Sequence, residues 1–248
     1  MTALLVTGTD TGVGKTLVTA AIAAALGARG VRVSVAKPVE TGCPLVAGVR
    51  YPEDAATLVA AAATPDPLAI VCPYRFADPL APMLAAARAA TTIDVDALVR
   101  ALATRAARTD ICLIEGAGGV LVPLTSTTTY ADLANALDAP VLLVVGSRLG
   151  AINHALLSLE ALATRGLRVL GYVLNRLAPD GDPAVETNAA LLRSLTAARC
   201  LGELPHVADA VDTLRALRGG GPDVTTARAR LAALARAHLD LDALTDSR

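Results

Sequence analysis

The chain has 248 residues, 54% of them hydrophobic, with 22 lysines and arginines against 23 aspartates and glutamates. That near-neutral balance gives no electrostatic case for a nucleic-acid partner, and 2% aromatics without tryptophan argue against base stacking on aromatic platforms. Cys43, Cys72, Cys112 and Cys200 form no C-x-x-C pair and no zinc spacing, so neither a zinc site nor a disulfide framework is expected.

The first element predicted is an apolar strand over residues 4–6. It feeds Gly8-Thr9-Asp10-Thr11-Gly12-Val13-Gly14-Lys15-Thr16, and an alanine-rich helix follows over 17–26. Strand, glycine turn, Gly-Lys-Thr and helix, in that order, are the context of a phosphate-binding loop. Glycines let backbone N–H groups curl around phosphate oxygens where side chains would clash, and the helix start adds its positive dipole end. Lys15 is placed to reach the outer phosphates and the Thr16 hydroxyl to hold Mg²⁺. Five residues separate Gly8 from Gly14, so the usual spacing of four is met only from Thr9.

Residues 31–36 alternate in polarity and read as a strand ending at Lys37-Pro38, with a loop over 40–44. Loops at the carboxyl ends of parallel strands line the ligand crevice, which directs Lys37 to the same site as Lys15. Residues 51–63 read as a helix with Asp54 in its acidic first turn, 65–82 as an irregular proline-rich excursion, and 93–104 as an amphipathic helix. The apolar strand over 111–114, with Cys112 in its core, ends at Glu115-Gly116-Ala117-Gly118-Gly119. A carboxylate there suits the metal side of a nucleotide site. Asp132 opens a helix after Tyr130 and reads as structural.

The next strand, 141–146, leaves through Ser147 to His154 into a helix reaching 162. A strand over 169–174 ends at Asn175-Arg176, a helix covers 189–195, and residues 201–206 close the sheet. A helix over 225–239 runs into an acidic tail whose last few residues should fray. Strands alternating with helices predict a single α/β domain over 1–248, a mostly parallel sheet flanked by helices of P-loop NTPase type, with a C-terminal helical extension from about 215. The three histidines are dispersed and no Ser-His-Asp arrangement is supported. No leader peptide precedes the strand at residue 4 and no apolar run reaches the ~20 residues a membrane helix needs, so a cytoplasmic protein with no membrane partner is expected.

Four stretches together resemble the dethiobiotin synthetase family: residues 6–16 with the five-residue gap, Lys37-Pro38-Val39-Glu40-Thr41, the strand 111–114 running into Glu115-Gly116-Ala117-Gly118-Gly119, and Val144 to Ala155 with Leu149-Gly150-Ala151-Ile152-Asn153-His154. The resemblance covers roughly residues 4–206. It implies ATP-dependent closure of a ureido ring on 7,8-diaminononanoate with CO₂, giving dethiobiotin, ADP and phosphate, by a homodimer that uses Mg²⁺. By resemblance Lys37 and Lys15 are catalytic, and Gly12, Val13, Gly14, Lys15 and Thr16 hold the nucleotide together with Gly116, Ala117 and Gly118. Thr16, Asp54 and Glu115 match the Mg²⁺ side. Asn175, Arg176 and Leu204-Pro205-His206 match the nucleobase end, while Thr11, Thr41, Leu149, Gly150 and Asn153 match positions that contact the diamine substrate.

Some members carry glutamate where this chain has Gly12, and a tyrosine near the place of Thr187 that reaches the substrate carboxylate across the dimer; Glu186, Thr187 and Asn188 cannot inherit that contact. Three rival readings share the loop. Switch ATPases of the partitioning or cell-division-site type carry a second lysine where this chain has Asp10. Glutamine-dependent amidoligases need a glutaminase domain for which there is no spare length. The third is a nucleotide-binding scaffold without turnover.

Overall fold

A computed structural model describes residues 3–179, 181–219 and 222–245. Its elements are, in chain order, β1 (Ala3–Gly8), α1 (Lys15–Ala28), β2 (Val33–Ala36), β3 (Val39–Glu40), β4 (Leu45–Val46), β5 (Val49–Arg50), α2 (Glu53–Ala62), α3 (Leu68–Val71), β6 (Tyr74–Arg75), α4 (Pro82–Arg88) and α5 (Val95–Ala106). Then come β7 (Ile111–Gly119), α6 (Tyr130–Ala136), β8 (Val141–Ser147), α7 (Ala151–Thr164), β9 (Val169–Arg176), α8 (Pro183–Leu195), β10 (Cys200–Leu204), α9 (Ala210–Arg218), α10 (Pro222–His238) and α11 (Asp242–Thr245).

The main sheet has six strands in the order β10-β9-β8-β1-β7-β2, every neighbouring pair parallel. Runs such as Val141 to Val145 are apolar at every position because both faces of a parallel sheet are covered by crossover helices. Leu4 and Val6 join α1, α2 and α10 on one face, whereas Leu5 joins α5 and α6 on the other. Leu143, Val145, Tyr172 and Leu174 continue that second face under α7 and α8.

Helix α1 is buried on nearly every side, from Leu17 through Leu26, because it lies between the sheet and α2 and α10. Its alanines make this possible, since they cost no side-chain entropy and let neighbouring backbones approach. Asp132 has the structural role read from sequence: with Thr129 it forms a reciprocal capping box that starts α6.

Several regions depart from the sequence reading, among them α4 and α11, which it does not include. The 65–82 excursion is ordered, with α3 and then β6, which pairs in parallel with β3. The expected loop after Thr41 continues into a small hairpin, β4–β5, turned by Ala47 and Gly48 at φ 49° and 79°. Helix α8 starts at Pro183 behind the Asp182 cap, ahead of the expected 189, and α9 is an amphipathic helix, with Thr213 and Leu217 buried, that the sequence reading leaves out. Fraying was expected at the extreme C-terminus, where 246–248 lie outside the described residues. Among the described residues no helix is long and apolar enough to cross a membrane.

Candidate active site

The carboxyl ends of β1, β2, β7 and β9 meet along one edge of the sheet, where a cavity of about 800 Å³ opens. Thr11, Gly12, Gly14, Lys15, Thr16, Lys37, Thr41, Asp54, Glu115, Ala117, Gly118, Asn175, Arg176 and His206 all line it. Val13 and Leu204 are buried and, like Gly116 and Pro205, outside the lining. Leu149, Gly150 and Asn153 also fall outside it; they stand exposed at the start of α7.

The loop after β1 takes its shape from two left-handed glycines, Gly12 at φ 75° and Gly14 at φ 87°. A Cβ at Gly14 would sit 2.2 Å from Asn175 Nδ2, so only glycine fits both the φ and the space. Asn175 in turn donates from Nδ2 to Val13 O at 3.0 Å, fixing the loop against the end of β9, and its Oδ1 is buried without a partner. Asp10 ties the loop on the other side, accepting from Arg148 Nη2 at 2.9 Å and from Thr11 N at 2.7 Å.

Lys15 donates from Nζ to Asp10 O at 2.8 Å. Burial and the nearby Lys37 ammonium push its pKa down to about 8, against the pull of Glu115, Asp54 and Asp10.

Four polar groups meet at the ends of β2, β7, α1 and α2. Lys37 Nζ donates to Glu115 Oε1 at 2.6 Å and to Asp54 Oδ2 at 2.9 Å. Thr16 Oγ1 donates to the same Glu115 oxygen at 2.8 Å. Burial acts to lower the Lys37 pKa, but Glu115, Asp54 and Glu40 outweigh it and hold the ammonium well above its ordinary value. For Asp54, burial acts upward and Lys37 outweighs it, so its carboxyl lies below the usual range.

The second Glu115 oxygen, Oε2, is buried with no hydrogen-bond partner. Together with the Thr16 hydroxyl and the Asp54 carboxylate it makes a set of hard oxygen donors, a chemistry that suits Mg²⁺. Among the described residues no three His, Cys, Asp or Glu side chains form a metal centre by themselves.

Sequence reasoning missed three parts of the cavity. Glu40 lines it and accepts from the Asp54 and Ala55 amides, although it lay within the Lys37 to Thr41 stretch. Pro79 to Pro82 contribute from the excursion read as irregular. Val207, Ala208, Ala210, Val211 and Leu214 add an apolar wall around the start of the amphipathic helix α9.

A glycine turn with its lysine set between strand and helix on a parallel sheet defines a P-loop nucleotide-binding protein. The family model described as an AAA domain matches residues 2–213. The chain belongs to the dethiobiotin synthetase family. It is 46% identical over 217 residues to the ATP-dependent dethiobiotin synthetase BioD of Anaeromyxobacter dehalogenans (strain 2CP-C), covering 88% of this chain and 96% of that relative. It is 42% identical to the BioD of Xanthomonas oryzae pv. oryzae (strain PXO99A), over 84% of this chain and 92% of that one. Among solved structures, the MinC:MinD cell division protein complex of Aquifex aeolicus has the same fold, with a TM-score of 0.56 at 16% identity, covering 95% of this chain and 94% of that one.

Proposed function

We propose that this chain is an ATP-dependent dethiobiotin synthetase, a ligase that forms C–N bonds. One amine of 7,8-diaminononanoate adds to CO₂, loses a proton and becomes a carbamate. A carbamate oxygen then takes the γ-phosphoryl group of ATP, and ADP leaves. The second amine attacks the activated carbonyl carbon, phosphate departs with its bonding pair, and a proton is lost as the ring closes.

The observation that carries this reading is the meeting of two lysines and two carboxylates at the strand ends, with Lys37 at 2.6 Å from Glu115 and 2.9 Å from Asp54. Phosphoryl transfer requires positioning and neutralised charge more than covalent help. Lys15 and the amides of Gly12 to Thr16 hold the phosphates, and the stretch Gly116 to Gly118 contacts the nucleotide. Lys37 draws together the carbamate and the γ-phosphate, two anions that otherwise repel. Thr16, Asp54 and Glu115 would hold Mg²⁺, which when bound would supply further neutralisation of the phosphate charge.

The free Asn175 Oδ1 supports a role at the adenine edge, where an amide can match both a donor and an acceptor, with Arg176 and Leu204 to His206 beside it. Thr11 and Thr41 face the substrate end. Leu149, Gly150 and Asn153 border the diamine chain in a homodimer. Support for the homodimer comes from the apolar side chains left exposed around α7 and α8: Leu149 at 84%, Leu157 at 57%, Leu191 at 47% and Leu195 at 50%. The segment from about 215 belongs to the same domain, since α10 packs on α1. We read the protein as a cytoplasmic enzyme of small molecules, without a nucleic-acid or membrane partner.

The test is phosphate release from Mg-ATP and bicarbonate, with and without the diamine, for the wild type and Lys37→Ala. Diamine-dependent release accompanied by dethiobiotin, and lost in the variant, is the expected result. Release indifferent to the diamine would overturn the assignment.

A further inference from the structure

Helix α2, which presents Asp54 to the site, begins without a cap of its own. Its N-cap residue is Pro52, whose side chain makes no capping hydrogen bond. The first amides of a helix nonetheless need acceptors. Two of them are satisfied by a single carboxylate from outside the helix: Glu40 Oε1 accepts from Asp54 N and Glu40 Oε2 from Ala55 N, each at 3.0 Å.

Glu40 is itself firmly held. It ends β3 with only 6% of its surface exposed, and its backbone oxygen accepts from Phe76 N at 2.9 Å. It follows Lys37 by three residues and precedes Thr41 directly. A serine or aspartate cap at position 52 would finish the helix but leave its placement to the intervening chain, which is the exposed β4–β5 hairpin. A bidentate bond from β3 joins the helix to the same segment that carries Lys37 and Thr41. The Asp54 carboxylate then meets Lys37 at 2.9 Å. Both Glu40 oxygens are engaged in this bond, so its direct contacts are with α2, while its charge reaches Lys37 only through space.

We propose that Glu40 is a positioning residue: its two-pronged hold on the first turn of α2 sets where Asp54 presents its carboxylate to Lys37 and to the divalent cation. The proposal rests on the reading of Asp54 as part of the metal side. Removing the side chain leaves two amides unsatisfied and frees the first turn to drift. Loss of two hydrogen bonds to buried helix amides corresponds to a weakening of about tenfold in whatever depends on that placement.

The experiment uses Mn²⁺ as the probe, titrated in the presence of ATP and followed by the loss of the free-ion paramagnetic resonance signal. The proteins are wild type, Glu40→Ala, Glu40→Gln, Asp54→Ala and the Glu40→Ala/Asp54→Ala double variant, each with its unfolding midpoint recorded. The expected result is weaker Mn²⁺ binding in Asp54→Ala, about tenfold weaker binding in Glu40→Ala, and an intermediate value in Glu40→Gln, whose amide keeps one acceptor oxygen. The double variant should bind no more weakly than Asp54→Ala alone, because Glu40 acts through Asp54. A Glu40→Gln variant that folds and binds Mn²⁺ like the wild type, beside a weakened Asp54→Ala, overturns the proposal and leaves the reading of Asp54 standing. Losses that simply add in the double variant overturn it as well. If Asp54→Ala binds Mn²⁺ normally, the reading of Asp54 falls and the proposal with it.

Discussion

Lys37 and Glu115 form an ion pair of 2.6 Å from which solvent is almost shut out, the two side chains being 4% and 0% exposed. A pair closed off in this way is costly to break from one side. In Lys37→Met the Glu115 carboxylate is left buried beside a thioether, and a destabilisation of about 3 kcal/mol is expected in metal-free buffer. Equilibrium unfolding in urea measures it. Added Mg²⁺ should restore more stability to this variant than to the wild type, because the cation replaces the lost positive charge. Ring closure should fall at least ~100-fold, the scale on which one electrostatic contact to the transferring group is lost.

Lys15 titrates at about 8 in the free protein, below its ordinary 10.5, because burial and Lys37 disfavour its charge. Phosphate oxygens beside it favour the charged form, so metal-free ATP should bind with proton uptake above that pH and with affinity that declines as pH rises. Titration calorimetry at pH ~9 in two buffers of different ionisation heat reads the uptake directly; identical heats would contradict it. The same depression fixes the sign for folding. Between pH about 8 and 10.5 the unfolded chain holds the proton that the folded chain has shed, so the contribution of Lys15 to stability rises with pH across that window.

Gly202 allows the C-terminal segment to seat on β10. A Cβ there would lie 2.0 Å from His238 O, at a φ of 137°. Next to it Leu239 bridges to Gly202, and Asp240 N donates to Leu201 O at 2.7 Å. Gly202→Ala should therefore displace the end of α10 and cost about 2 kcal/mol, with faster amide exchange in β10 and α10. Turnover at saturating substrates should change little, since the contact lies away from Lys15 and Lys37.

Exposed leucines on α7 and α8 are the proposed homodimer face. A charge at their centre, as in Leu157→Glu or Leu191→Glu, should halve the mass seen by sedimentation equilibrium and raise the KM for the diamine more than that for ATP. An unchanged mass in both variants would remove that face from consideration.

Much of the site could be read in the chain because its signals are local. Gly12, Gly14, Lys15 and Thr16 lie within one turn between a strand and a helix, and the left-handed φ values of the two glycines suit that setting. The six parallel strands lie near their predicted places, with ends moved by a few residues. What escaped the reading were short elements whose partners lie elsewhere. Strand β6 has two residues and exists through its pairing with β3, and the apolar wall before and along α9 acquires its meaning from the cavity it faces.

The sequence by itself therefore determined the parallel α/β class, the phosphate loop and the identity of the charged residues, because propensity and periodicity act over a few neighbouring residues. The tertiary structure decided which charges meet. Lys37 and Glu115 are 78 residues apart, and Asn175 reaches Val13 across 162. Those encounters depend on strand order, since β7 lies between β1 and β2 and brings Glu115 beside both loops. Glu40 shows the division most plainly: its place in the chain was visible beside Lys37, but its hold on α2 needed the chain between them to fold back through the β4–β5 hairpin, where hydrogen-bond geometry and not local propensity selects the partner.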